Sequence, residues 1–337
     1  MTDVTVLMPV FNGEKFLRQS IQSILDQSFV DFEFLIINDG STDNTDFIVT
    51  GFKDDRIRYI TNKTNQGLVN TLNMGIRLAN GQFIARMDAD DIAYPDRILK
   101  QYLYLKEKPE IDVLGCHIDL VDERGELIRE RLYSVQHDHI KLDSLFFCPM
   151  PHPGVIFRKD KLMDNDLFYD VNQHYTEDFE LWQRALSILT FANVNEKLLQ
   201  YRVSPNQVSA VFAAQQEKET RNIRLNYLIK LNLTDQDKYK QDFFLEFIDG
   251  RLQIDDKVSP QLLFSIIDTV LLANQQYSLF DIGLFNELIT KNLDRMVKFY
   301  TARDNKLFSH YKRHQLYDIS GLKLRDKIKL TWKEWRF

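Results

Sequence analysis

Gln82-Phe83-Ile84-Ala85-Arg86-Met87-Asp88-Ala89-Asp90-Asp91 sets a short apolar run directly against an acidic cluster. The run reads as a β-strand, and the carboxylates sit where it ends. Three carboxylates so close repel one another and are costly to remove from water, so a fold keeps them together most readily around a cation. Hard divalent ions take oxygen ligands, and Mg²⁺-like ions use one or two carboxylates together with water and phosphate oxygens. In extended backbone the spacing Asp-x-Asp turns Asp88 and Asp90 to the same side. A solvated turn, with Asp91 capping a helix that begins near Pro95, explains the same residues without any ligand. The neighbouring sequence decides between the two.

Working outward, strands and helices alternate. Val4 to Phe11 is a β-branched strand ending at Asn12-Gly13, and Glu14 to Gln27 follows with helical periodicity. Phe32 to Ile37 is a second strand closed by Asn38-Asp39-Gly40, with Ser41 or Thr42 expected to cap a short helix. Ile57 to Ile60 is a third strand and Leu68 to Leu78 a third helix, entered through Asn65-Gln66-Gly67. Near-continuous apolar strands joined by helices predict a parallel sheet covered on both faces. Such sheets bind ligands beyond the carboxyl ends of their strands. Four polar clusters, at 12–14, 39–41, 65–67 and 88–91, are thereby expected on one edge.

From Pro109 to Ser209 the pattern is mixed, with strands at Val113–Val121, Leu127–Tyr133 and Gly154–Phe157 and a helix from Asp178 to Leu189. Beyond Val211 only helical patterns follow, at 213–232, 236–249, 259–275, 280–301 and 322–335. Two domains are expected, residues 1–210 and 211–337. The 337 residues, 44% hydrophobic and 12% aromatic, suit a globular protein with a large core. A net charge of −6 argues against a nucleic-acid partner. Cys116 and Cys148 lack metal-ligand spacing and read as core residues of a reducing compartment. The first residues lack the pattern of an export signal, and no apolar run approaches the ~20 residues that span a bilayer. A cytoplasmic location is therefore expected. The tail is basic, with twelve Lys or Arg against four Asp or Glu from Arg295 onward. Leu324, Ile328, Trp332 and Trp335 fall on one helical stripe, which fits either a peripheral contact with an anionic membrane or packing on its own domain.

The ordered motifs Pro9-Val10-Phe11-Asn12-Gly13, Asn38-Asp39-Gly40-Ser41-Thr42, Asn65-Gln66-Gly67, Asp88-Ala89-Asp90-Asp91 and Glu177-Asp178 together resemble the family 2 glycosyltransferases of bacterial surface-glycan type. The resemblance spans residues 3 to 209. It implies an α/β fold of GT-A type: a Rossmann-like, mostly parallel sheet with helices on both faces, here followed by an all-helical C-terminal domain. It implies an inverting transferase that takes a nucleotide-diphosphate sugar, usually a UDP-sugar, with Mn²⁺ or Mg²⁺. Pro9, Phe11 and Glu14 would line the nucleoside pocket, with Asp39 on the base or ribose and Asn65 and Gly67 against the nucleotide. Asp88 would approach the ribose, Asp90 would ligate the metal of the DXD motif, and Asp178 would be the general base. The acceptor would be a glycan or a lipid-linked sugar, and a homo-oligomer is a further expectation.

The chemistry calls for the same residue types. A departing sugar diphosphate concentrates negative charge that a divalent ion stabilises. A carboxylate on the acceptor side removes the hydroxyl proton, typically worth about 10²–10⁴ in rate. His152, before a strand, is expected to border the diphosphate or acceptor and to add a metal ligand. Arg202, in the segment Tyr201-Arg202-Val203-Ser204 that continues through Gln207 and Ser209, is expected on a mobile loop facing the diphosphate. Trp182 reads equally as core or as a sugar platform. A nucleotidyltransferase of similar fold and a non-catalytic sugar-nucleotide-binding subunit are the rival readings. The first would want a basic phosphate loop where Phe11-Asn12-Gly13-Glu14 stands; the second predicts a damaged acidic set.

Overall fold

The apolar strands come together as one nine-stranded sheet in a computed structural model that describes residues 2–204, 212–234, 238–252, 259–300 and 305–334. The first half alternates as β1 Val4–Val10, α1 Leu17–Leu25, β2 Phe32–Asn38, α2 Thr45–Gly51, β3 Ile57–Thr61, α3 Leu68–Leu78 and β4 Phe83–Arg86. Next come β5 Ile92–Ala93, α4 Arg97–Glu107, β6 Val113–Val121, β7 Leu127–Arg131 and α5 His137–Asp143. A 3₁₀ turn at His152–Gly154 leads to β8 Ile156–Arg158, α6 Lys159–Asp164, α7 Glu177–Ala185 and β9 Phe191–Arg202. The sheet order is β3-β2-β1-β4-β8-β6-β9-β5, with β7 paired to β6. The first four strands are mutually parallel; β8 is antiparallel to both neighbours, and β6 and β9 run parallel.

Alternation along the strands builds two cores, one on each face. Val4, Val6, Met8 and Val10 of β1 join Phe32, Phe34 and Ile36 of β2 under Leu17, Ile21 and Ile24 of α1 and Ile98 and Leu105 of α4. Leu7, Leu35 and Ile37 point the other way, against Val69, Leu72 and Ile76 of α3 and Leu181 and Trp182 of α7. Each such side chain, once fully buried, contributes about 1.5–3 kcal/mol. Trp182 is wholly buried and belongs to this core.

After β9 the described residues are helical: α8 Ala213–Lys230, α9 Lys238–Asp249, α10 Pro260–Tyr277, α11 Ile282–Tyr300, α12 Asn305–Arg313 and α13 Leu324–Glu334. The chain divides into two compact units, Met1–Ile223 and Arg224–Phe337. The boundary read from sequence stood near residue 210. The start of α8 groups with the first unit because Gln216 Nε2 donates to the Tyr175 carbonyl (2.9 Å) and Gln183 Nε2 to that of Ile223 (2.5 Å). In the second unit Ser259 caps α10 through the Leu262 amide, with Pro260 in the first turn. Buried Asp294 of α11 accepts from Tyr311, Ser320 and the Gly321 amide at 2.7–2.8 Å.

Candidate active site

Strand order creates the site. β2 and β3 lie on one side of β1 and β4 on the other, the reversal at which open α/β sheets bind ligands. The β1–β4 ladder ends at Leu7 opposite Arg86, whereas β1 stays paired to β2 as far as Val10 opposite Asn38. Beyond Leu7, therefore, β1 and β4 part at their carboxyl ends. Pro9, which has no N–H to offer a neighbour, occupies this stretch, and Phe11 follows it half-exposed.

The loops after β1 and β2 are laced together. Ser41 Oγ accepts from the Asn12 amide, Asn12 Oδ1 from the Thr42 amide, and Thr45 Oγ1 from the Gly13 amide, all at 2.8–2.9 Å. Glu14 accepts from the Asn44 side chain at 2.8 Å while its own amide reaches Asp43. Ser41 and Thr42 thus bind the 11–14 loop and do not cap α2, whose N-cap is Asn44. Asp39 is buried and holds the next loop, accepting from Asn62 (2.7 Å) and from the amides of Gln66 and Gly67 (both 2.9 Å). Asn65 Oδ1 also meets the Gly67 amide at 2.8 Å. Asp39, Asn65 and Gly67 are one hydrogen-bonded unit.

At the end of β4, ligand oxygens of Asp88, Asp90 and Asp91 lie within 4.8 Å of one another. Ser20 of α1 donates to the Ala89 carbonyl (2.9 Å) and so anchors the turn. Asp91 does not cap α4, which starts at Arg97 behind Asp96. It is buried instead, with Oδ1 accepting from the Arg202 amide (2.8 Å) and Oδ2 finding no hydrogen-bond partner among the described residues. Burial and the neighbouring charges of Asp88 and Asp90 push its carboxyl well above the ordinary range. This crowded oxygen donor set, with an orphaned carboxylate oxygen at its base, fits a hard divalent ion.

Buried Arg86 acts on two acidic groups. Arg86, the last residue of β4, forms an ion pair with Asp88 and is almost fully excluded from solvent. Its charge also reaches Glu177 and Asp178 at the start of α7, opposing the rise of both carboxyls. Burial dominates that rise: Glu177 is pushed up to about 7, further raised by its Asp178 neighbour, and Asp178 is raised as well. Asp178 Oδ1 accepts from the Phe179 amide at 2.7 Å, and its Oδ2 lies 3.3 Å from the Cys148 sulfur.

Two expectations need correction. Arg202 is not on a mobile loop: it ends β9, buried, where its guanidinium lies over Phe16 and donates to the carbonyls of Asp90 (2.8 Å) and Glu123 (2.9 Å). It braces the acidic turn from behind. Gln207 and Ser209 lie outside the described residues. His152 is not in the carboxylate group; its Nε2 meets the Tyr169 hydroxyl at 2.8 Å, and burial beside Arg86 holds the imidazole well below its ordinary range. Arg86 escaped the sequence reading, although a lone cation in an apolar strand just before three carboxylates was the signal.

The chain has relatives among known proteins. The model of the glycosyl transferase family 2 matches residues 5–172. The O-antigen biosynthesis glycosyltransferase WbnJ of Escherichia coli is 32% identical over 208 residues, 59% of this chain and 79% of that protein. TarS of S. aureus, solved in complex with UDP, superposes with a TM-score of 0.56 at 19% identity over 85% of this chain and 86% of the other. The mannosyltransferase PcManGT from Pyrobaculum calidifontis, solved with GDP-Man and Mn²⁺, gives 0.52 at 13% identity over 82% and 76%. At such identities the two structures show the fold alone, and it is the GT-A fold expected. With sheet, strand-end motifs and relatives in agreement, the chain belongs to glycosyl transferase family 2 and is a glycosyltransferase.

Proposed function

We propose that the protein moves a sugar from a nucleotide-diphosphate sugar, a UDP-sugar in the first instance, to a hydroxyl of a glycan or lipid-linked acceptor with inversion at the anomeric carbon. The observation that carries this reading is the pair of acidic sets flanking one buried arginine, at the strand edge where the sheet reverses. Asp90 would hold Mn²⁺ or Mg²⁺, with Asp88 beside it toward the nucleotide, and the ion when bound supplies positive charge at the diphosphate leaving group. The acceptor oxygen forms its bond to the anomeric carbon as the bond to the diphosphate oxygen breaks, and the nucleoside diphosphate leaves with that electron pair. Asp178 takes the hydroxyl proton. Burial makes it a stronger base, while Arg86 and the Cys148 thiol favour its ionised form. Pro9, Phe11 and Glu14 line the nucleoside side, and Asp39 fixes the loop that presents Asn65 and Gly67.

The relation to an O-antigen enzyme supports a surface-glycan acceptor, and TarS with UDP and PcManGT with GDP-Man and Mn²⁺ support a metal-assisted nucleotide-sugar donor. Family membership leaves the nucleotidyltransferase and the non-catalytic subunit without support. No helix among the described residues is long and apolar enough to cross a membrane. A peripheral membrane contact fits α13, where Leu324 is 74% and Ile328 52% exposed beside Lys323, Lys327 and Lys329. Leu330 of the same helix is buried, so packing on its own unit and exposure coexist. Trp335 and the side chain of Trp332 lie outside the described residues. The test is a donor screen: UDP- and GDP-sugars with Mn²⁺, scored for nucleotide release, with EDTA controls. Release from one UDP-sugar that EDTA abolishes is expected; EDTA-resistant turnover would remove the metal from the proposal.

A further inference from the structure

We infer that Cys148 is a positioning residue for Asp178, its thiol holding the carboxylate in the orientation that receives the acceptor proton; this rests on Asp178 being the base. The two oxygens of Asp178 have different duties. Oδ1 is tied to the first turn of its own helix through the Phe179 amide at 2.7 Å. Oδ2 lies 3.3 Å from the Cys148 sulfur, and Cys148 is the side-chain hydrogen-bond donor to it among the described residues. The Met150 carbonyl, 3.5 Å from the same sulfur, competes for the one thiol proton. The charged and nearer acceptor wins it.

Burial and the adjacent Asp178 charge push the thiol well above its ordinary range. It therefore stays protonated at neutral pH, a permanent donor and a poor nucleophile. The other groups facing Asp178 are Glu177 on its own helix, Arg86 from β4, Tyr169 from the segment before α7 and Tyr133 beyond β7; Arg131 of β7 faces the thiol. Arg86 acts on Asp178 through its charge, whereas the thiol fixes a direction. Without it the carboxylate is freer to turn and harder to ionise.

The experiment compares Cys148→Ala, Cys148→Ser and Asp178→Asn with the parent and with Cys116→Ala, the control thiol buried elsewhere in the core. Steady-state rates are measured from about pH 5 to about pH 9, with UDP affinity and melting temperature alongside. Cys148→Ala should lower kcat about tenfold at unchanged KM for the donor, and move the acid limb of the profile up by about half a pH unit or more. Cys148→Ser keeps a donor and should recover most of both. Parent-like kcat and acid limb in Cys148→Ala would overturn the inference, as would a lower melting temperature in both variants with the limb unmoved, which marks simple packing. If Asp178→Asn is inactive while Cys148→Ala is normal, only this inference falls. An active Asp178→Asn removes the base and the inference together.

Discussion

The aspartates at the end of β4 and the acidic pair that opens α7 both hold carboxylates partly out of water, by different means. At the end of β4, Arg86 forms an ion pair with Asp88 and the Arg202 amide donates to Asp91, while Asp91 Oδ2 has no hydrogen-bond partner among the described residues. Around Asp178 both oxygens have donors, an amide and a thiol, and the helix N-terminus adds its dipole. The first set crowds three carboxylates together, Asp91 Oδ2 among their oxygens, and suits an incoming cation. The second has its donors in place, and burial, which raises its affinity for a proton, suits it to act as a base. Arg86 lies between them, so a change there acts on both.

That contrast can be broken at several points. Asp178→Asn should reduce transfer by about 10²–10⁴-fold with nucleotide binding intact, read by steady-state rates beside UDP titrations. Arg86→Met leaves Asp88 without its buried partner and should cost about 3–5 kcal/mol in urea unfolding, where a loss under about 1 kcal/mol would dismiss the shared-cation view. Gly40 has φ +73°, and a Cβ there would stand 2.7 Å from the Thr64 carbonyl carbon. Gly40→Ala should therefore cost about 1–3 kcal/mol and weaken UDP binding through the Asp39 loop. Glu177 offers a finer test. Its carboxyl titrates at about 7 when folded, against an ordinary 4.5, so across that interval the folded protein holds the extra proton. Stability then falls as pH rises through this window, and Glu177→Gln should flatten the slope in unfolding titrations. The smallest effect is expected for Leu324→Glu with Ile328→Glu, which should reduce sedimentation with anionic vesicles while sparing transfer to a soluble acceptor.

Much of the fold could be read because its signals are local. Helix α3 runs from Leu68 to Leu78 and β6 from Val113 to Val121, as their apolar patterns predict. β9 was missed since Asn195, Glu196 and Lys197 interrupt its alternation. The physical cause is the register shift opposite His117, where the strand is bulged against β6. The motifs likewise located the acidic clusters, yet said nothing of what lies beneath them. Arg86 and Arg202 take their roles from pairings across the sheet, and Cys148, read as a core residue, meets Asp178 from 30 positions away. Such contacts leave no periodic trace in the sequence.

The division of labour between the two acidic sets is tested most directly by titrating UDP, with Mn²⁺ and then with EDTA, into the parent protein, Asp90→Ala and Asp178→Asn, while turnover is followed on the same samples. Asp90→Ala should lose the Mn²⁺-dependent part of UDP affinity, and Asp178→Asn should keep it while losing turnover. Parent-like Mn²⁺-dependent binding by Asp90→Ala, or turnover by Asp178→Asn, would contradict the assignment.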